Sequence, residues 1–276
     1  MKRFICFVHI EKAGGITLHN IFHTIFNNYL TPSPAFGEHF TKSELQKLIK
    51  IWPLTIAGIG GHRLGAFLNY EEVLTKDIFY LTFLREPIAR YMSHMNWQKN
   101  IMNINWSPAS FTAETYFNNF QCYRISGERS FISAKQVISK KFGFVGLMEE
   151  YDPSLVILSY LLGLDMSAFQ YSKANQKKYG IKEFKFEKLS DELQSHIIEN
   201  NHEDIKLYYY LKDELFPDFK NSIDNLHDKV ARFQRRNRHY HTPLFPLLKR
   251  KTTNLLLSKV IQPYLTIKPK SIEGTS

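Results

Sequence analysis

Residues 7–22, FVHIEKAGGITLHNIF, restrict the fold more than any other part of the chain. An apolar, β-rich run ends at Ile10, the loop Glu11-Lys12-Ala13-Gly14-Gly15 turns the chain, and a helical pattern begins at Thr17. Glycines let backbone N–H groups approach an anion closely, and a helix N-terminus adds unpaired donors and positive dipole. Lys12 adds a mobile cation and Thr17 a hydroxyl in the first helical turn. The segment therefore reads as a phosphate-binding strand–loop–helix; the plain alternative is an ordinary strand–helix turn with a glycine pair. It is not a Walker A loop, because the lysine precedes the glycines and no Gly-Lys-Ser/Thr follows them.

Further apolar runs read as buried strands at residues 4–10, 54–59, 78–84 and 142–147. Helical patterns cover residues 17–26, 42–51, 87–98, 154–162, 190–200 and 203–215, with Thr41 or Ser43 as an N-cap and Pro87 in a first turn. Strands alternating with helices imply an α/β fold with a mainly parallel sheet. Hydrophobic residues make up 43% of the 276 and aromatics 14%, which suits a packed core and excludes a disordered chain. No run approaches the ~20 apolar residues of a membrane helix. The opening MKRFICFVHI superficially resembles a signal peptide, but its apolar run stops at His9 with no small-residue cleavage site. Cys6 and Cys122 are too few for a disulfide framework, and Cys6 reads as a core residue. The expectation is a cytoplasmic protein, with a bacterial source the simpler inference.

The net charge of +10 is unevenly spread. Lys229, Arg232, Arg235, Arg236, Arg238, Lys249, Arg250 and Lys251 face the single acid Asp228 across residues 227–251, which hold seven of the ten surplus charges. Such a block suits an anionic partner (an acidic glycan, a membrane surface or nucleic acid) or is a solvated basic face. Residues 1–220 are expected to form one domain and residues 221–276 a basic extension, frayed from residue 268.

A second segment, FYLTFLREPIARYMSHM at residues 79–95, places Arg85 at the C-terminal end of a strand and Ser93 two turns into the following helix. Open α/β sheets bind ligands beyond the carboxyl ends of their strands, so Arg85 and the Lys12 loop can face one cleft. There an Arg and a Ser hydroxyl can grip a further phosphate. Together the two segments closely resemble the signature pair of sulfotransferases that use 3′-phosphoadenosine-5′-phosphosulfate (PAPS), especially the carbohydrate type that includes heparan sulfate 2-O-sulfotransferase. Gly61-His62, NNFQCYRISG at 118–127, FVGLMEEYDPSLVIL at 144–158 and NNHEDIKLYYYLKDELF at 200–216 extend the resemblance in order over roughly residues 4–220.

That resemblance implies a three-layer P-loop-like sulfotransferase fold. It implies PAPS as sulfo donor without a metal, and an anionic or neutral saccharide rather than nucleic acid as acceptor. Lys12, Ala13, Gly14, Gly15, Ile16 and Thr17 then line the 5′-phosphosulfate, Arg85 and Ser93 hold the 3′-phosphate, and Lys12 and His62 are catalytic, His62 as general base. Three residues depart from the family pattern: Glu11 stands where a proline is usual, and Ala13 and Ile16 where hydroxyl residues are common. Two other readings remain: a decayed sulfotransferase fold that binds an anionic polymer, and a nucleotide-dependent kinase. The kinase is disfavoured by the missing Gly-Lys-Ser/Thr and the lack of a strand-end Asp for Mg²⁺. The acids Glu149, Glu150 and Asp152 read as a helix start, and His239 and His241 as no metal site.

Overall fold

The computed structural model describes residues 3–32, 39–52, 54–172, 183–241, 244–261, 263 and 265. The frayed C-terminus expected from residue 268 lies outside these. Five strands, β1 (Phe4–Val8), β2 (Tyr29–Leu30), β3 (Gly58–Gly61), β4 (Ile78–Leu84) and β5 (Phe142–Leu147), form one all-parallel sheet in the order β2-β3-β1-β4-β5. The helices are α1 (Gly15–Ile25), α2 (Lys42–Ile51), α3 (Pro87–Asn100), α4 (Pro108–Thr112), α5 (Phe120–Ser126), α6 (Phe131–Lys141), α7 (Tyr151–Leu161), α8 (Asp191–Asn200), α9 (His202–Tyr210), α10 (Phe216–Asn221), α11 (Leu226–Asn237) and α12 (Leu244–Leu256).

The sheet is buried on both faces, which is why β1 reads as a continuous apolar run with no alternation. Ile5 and Phe7 point into a core with Leu18, Ile21 and Phe22 of α1 and residues of α7 and α9. Phe4, Cys6 and Val8 point into the opposite core, with Leu45 and Leu48 of α2 and Leu257 and Ile261 beyond α12. The chain leaves β1 toward β3 on one side and later returns to β4 on the other. That reversal of strand order opens a crevice at the carboxyl end of β1.

Local signals in the sequence set several boundaries. Thr41 caps α2 in a reciprocal box with Glu44, and Pro87 occupies the first turn of α3 behind the Glu86 cap. The run expected as a strand at 54–59 pairs only at Gly58–Gly61, a sequence of low β-propensity. Packing overrides propensity here: a Cβ at Gly58 would lie 2.5 Å from the Ile5 carbonyl, and one at Gly60 would lie 1.8 Å from the Tyr29 hydroxyl. The helix expected at 203–215 is α9 followed by a widened π turn at Leu211–Leu215 that runs into α10. Beyond it α11 and α12 carry most of the basic segment. Phe233 of α11 is buried against α7, and Arg250 of α12 hydrogen-bonds Asn20 of α1.

Two helices essential to the crevice are tied by exchanged caps. Asp204 on α9 accepts from the Gln121 and Cys122 amides of α5 at 2.9 and 2.8 Å, and Asn119 accepts from the Glu203 and Asp204 amides. Asp204 is fully buried, and burial raises its carboxyl despite the nearby Arg90. Asp204→Ala strands two buried donors, so urea denaturation is expected to show a loss of about 3 kcal/mol. A loss below about 1 kcal/mol contradicts this account of the α5–α9 joint.

Candidate functional site

Because all five strands are parallel, the residues that follow β1, β3 and β4 emerge at one edge. Val8 is paired with Gly61, which sets His9 beside His62. The rings of His9 and His62 lie 4.0 Å apart, and the His62 Nδ1 is 2.9 Å from the His9 carbonyl. A carbonyl only accepts, so Nδ1 carries a proton, and in the neutral ring the lone pair sits on Nε2.

The loop between β1 and α1 is tightly determined. Ala13 N–H donates to the Ile10 carbonyl at 3.3 Å, closing a turn in which Lys12 has φ 69°. A left-handed lysine costs roughly 1–3 kcal/mol and persists only where the surroundings impose it. Here they do: Arg85 donates to the Lys12 carbonyl at 3.1 Å, and the Lys12 ammonium lies 5.4 Å from the centre of the Trp97 ring. Gly14, at φ 81°, leaves no room for a Cβ beside Met148 and Tyr151; at Gly15 a Cβ would meet the His9 ring at 2.0 Å. The first turn of α1 has neither a side-chain cap nor an acid, which leaves its amides and dipole facing the crevice. Burial, reinforced by the Arg85 charge, pushes the Lys12 ammonium down to about 8.

Glu11, which precedes Lys12, is engaged by α5 and by His62. Its carboxylate binds Arg124 of α5 at 2.5 and 3.2 Å and lies 3.5 Å from His62 Nδ1. Burial alone would raise the Glu11 carboxyl, but His62 and Arg124 outweigh it and hold the group well below the usual range. Ala13 is buried, whereas Ile16 is 42% exposed and places an apolar side chain where a hydroxyl was expected. The Tyr151 hydroxyl donates to the Gly14 carbonyl at 3.2 Å and also meets Thr17.

Arg85 is clamped through its own peptide. The Gln121 side chain accepts from the Arg85 amide at 3.0 Å and donates to its carbonyl at 2.9 Å. Burial lowers the Arg85 guanidinium somewhat, against Glu149 and Glu86, which raise it. Ser93 is half-buried on α3, four residues before Trp97 and therefore on the same face. The structure thus brings Lys12, Gly14, Gly15, Arg85 and His62 to one edge, with Ser93 on the helix that borders it. Glu149 accepts from the Glu86 amide and the Tyr208 hydroxyl, and the acids precede and open α7. Among the described residues no group of three or more His, Cys, Asp or Glu is placed to hold a metal, and no helix is long and apolar enough to cross a membrane.

Arg124, Gln121, Trp97 and Tyr151 were not singled out from the sequence as parts of a site. The segment 118–127 was noticed as a block, but nothing in its spacing pairs Arg124 with Glu11, 113 positions away. No protein-family model matches the chain, and none of the curated proteins matches it.

Glu11→Gln removes a buried charge from Arg124, and the variant is expected to be about 3 kcal/mol less stable at neutral pH. The folded carboxyl is depressed, so the contribution is complete above the unfolded value near 4 and fades as pH falls below it. Denaturation curves of both proteins from pH 7 to pH 3 should converge on the acid side; a constant difference contradicts the ion-pair assignment.

Proposed function

We propose that the chain is a sulfotransferase that moves the sulfo group of PAPS to a hydroxyl of a saccharide acceptor, on a three-layer P-loop-like fold. The observation that carries this reading is His62: its Nδ1–H is pinned to the His9 carbonyl, so its Nε2 is available as a base beside an anion-ready loop. The donor set fits a nucleotide with phosphates at both ends. The free first turn of α1, with Lys12, suits the 5′-phosphosulfate, and Arg85 with Ser93 suits the 3′-phosphate. Bound there, PAPS supplies an activated sulfo group on a phosphate leaving group.

The residues of the chain divide the remaining work. His62 Nε2 takes the proton of the acceptor hydroxyl, whose oxygen forms the new O–S bond as the S–O bond to the 5′-phosphate breaks. Lys12 and the loop amides neutralise the charge that gathers on the departing 3′,5′-diphosphoadenosine. Glu11, held by Arg124, lies beside the imidazolium that His62 becomes. The exposed Arg232, Arg235, Arg236 and Arg238 of α11 and its C-cap favour an anionic saccharide over a neutral one. The exposed Ile16 favours a second reading, a fold that binds the nucleotide or an anionic polymer and has lost transfer.

His62→Ala is expected to lower transfer of labelled sulfo group by about 10²- to 10⁴-fold while leaving affinity for 3′,5′-diphosphoadenosine nearly unchanged. Unchanged turnover in that variant removes His62 as the base. No transfer by the unmodified chain to any glycan or hydroxyl compound in a broad acceptor panel, with nucleotide binding intact, selects the second reading.

The Lys12 charge provides a further check. Its ammonium, pushed down to about 8, is protonated below that pH in the free protein and neutral above it. Affinity for 3′,5′-diphosphoadenosine should therefore fall as pH rises through 8, and Lys12→Met should remove this dependence. A flat profile from pH 7 to 9 in the unmodified chain contradicts the role of Lys12.

A further inference from the structure

We infer that His9 is a direct ligand of the oxyanion held at the N-terminus of α1, donating its Nε2–H to a phosphate or sulfate oxygen. The inference rests on the anion-binding half of the proposal above and is independent of sulfo transfer. Its basis is a buried chain of three side chains that runs from the sheet edge to the loop.

Tyr29 on β2 is buried, and its hydroxyl lies 2.9 Å from Nδ1 of His19 on α1. His19 Nε2 lies 3.0 Å from Nδ1 of His9, at the end of β1. His9 is only 6% exposed, and among the described residues its Nε2 has no hydrogen-bond partner. That atom lies over the first residue of α1: a Cβ on Gly15 would be 2.1 Å from it. The glycine is thus required by the histidine, and the histidine nitrogen arrives at a helix end that has neither a side-chain cap nor an acid in its first turn.

The chain of bonds has a direction. Burial holds His9 and His19 far below the ordinary histidine range, so each ring carries one N–H. Burial holds the Tyr29 hydroxyl far above its usual value, so it keeps its proton. If His19 donated to Tyr29, the tyrosine proton would need another acceptor, and none is present among the described residues. The O–H therefore donates to His19 Nδ1, His19 Nε2–H donates to His9 Nδ1, and the proton of His9 resides on Nε2. The opposite direction would present a lone pair to the loop and repel an anion. Chained hydrogen bonds polarise one another, which strengthens the terminal donor. Gly60 leaves the space that the Tyr29 hydroxyl and the His19 ring occupy, so the chain is built into β3 as well.

The test uses the full chain with ¹⁵N-labelled histidine, titrated separately with inorganic pyrophosphate and 3′,5′-diphosphoadenosine. His9 is expected in the Nε2–H form, and its Nε2–H resonance should move on addition of either anion. Tyr29→Phe, which touches no ligand, should weaken binding of both by about tenfold, since the direction of the chain is no longer enforced. An Nδ1–H tautomer at His9, or an Nε2–H resonance unmoved at saturating pyrophosphate, overturns the inference on the unmodified protein alone. Unchanged affinity in a folded Tyr29→Phe variant removes the role of Tyr29 in setting the direction. Movement with pyrophosphate, and no tighter binding of 3′,5′-diphosphoadenosine, keeps His9 as an oxyanion ligand and rejects the nucleotide reading. Tight nucleotide binding with a silent His9 does the reverse. Binding of neither anion overturns both.

Discussion

The ion pair between Glu11 and Arg124 ties the loop that leaves the central strand to α5, and the rest of the crevice is arranged around it. Arg124 stacks over Phe120, as does the buried Arg90, so the pair is set into the α3–α5 interface. α5 in turn carries Gln121, which grips the peptide of Arg85, and its N-terminus is capped by Asp204 of α9. A buried pair of this kind adds little net stability over an apolar contact, but losing one partner is costly. Its effect is therefore to specify position: the loop, His62 and Arg85 are each referenced to the same short helix.

This arrangement gives a physical reason for Glu11, which stands where the sulfotransferase signature it resembles has a proline. A carboxylate beside the phosphosulfate proposed to bind here would repel it, but this carboxylate is neutralised by Arg124. On the proposed reading, the position before Lys12 holds the base His62, in place of the turn that a proline would impose. Lys12 is then carried in a left-handed conformation that the surrounding contacts enforce. The two glycines that follow are explained by neighbours as much as by an anion, since Met148, Tyr151 and His9 occupy the space of their missing side chains.

The parallel α/β sheet was legible because buried parallel strands are continuous apolar runs, and β1, β4 and β5 are such runs. That Lys12, His62 and Arg85 share one edge of the sheet was legible because each directly follows a strand or lies in the loop after one. What was missed depends on long-range packing. The strand expected at 54–59 is displaced toward GIGG, whose pairing becomes evident only when Ile5, Tyr29 and His19 are placed against it. The two-residue β2 is too short to show a period. His9 and His19 read as ordinary strand and helix residues, and only the register of β1 with β3 reveals that they line up with Tyr29 and His62. The basic segment was legible only as a basic extension because its charges hide an amphipathic pattern; Phe233 and Leu257 are the buried side of it.

The central claim is that this edge recognises a nucleotide by a phosphate at each end of the ribose. Calorimetric titration with 3′,5′-diphosphoadenosine and with ADP tests it most directly, because the two ligands carry the same number of phosphates in different places. The account predicts that the 3′,5′ isomer binds at least about tenfold more tightly and that Arg85→Met removes most of the difference. Equal affinity for the two, or no binding of the 3′,5′ isomer at about 1 mM, would contradict it.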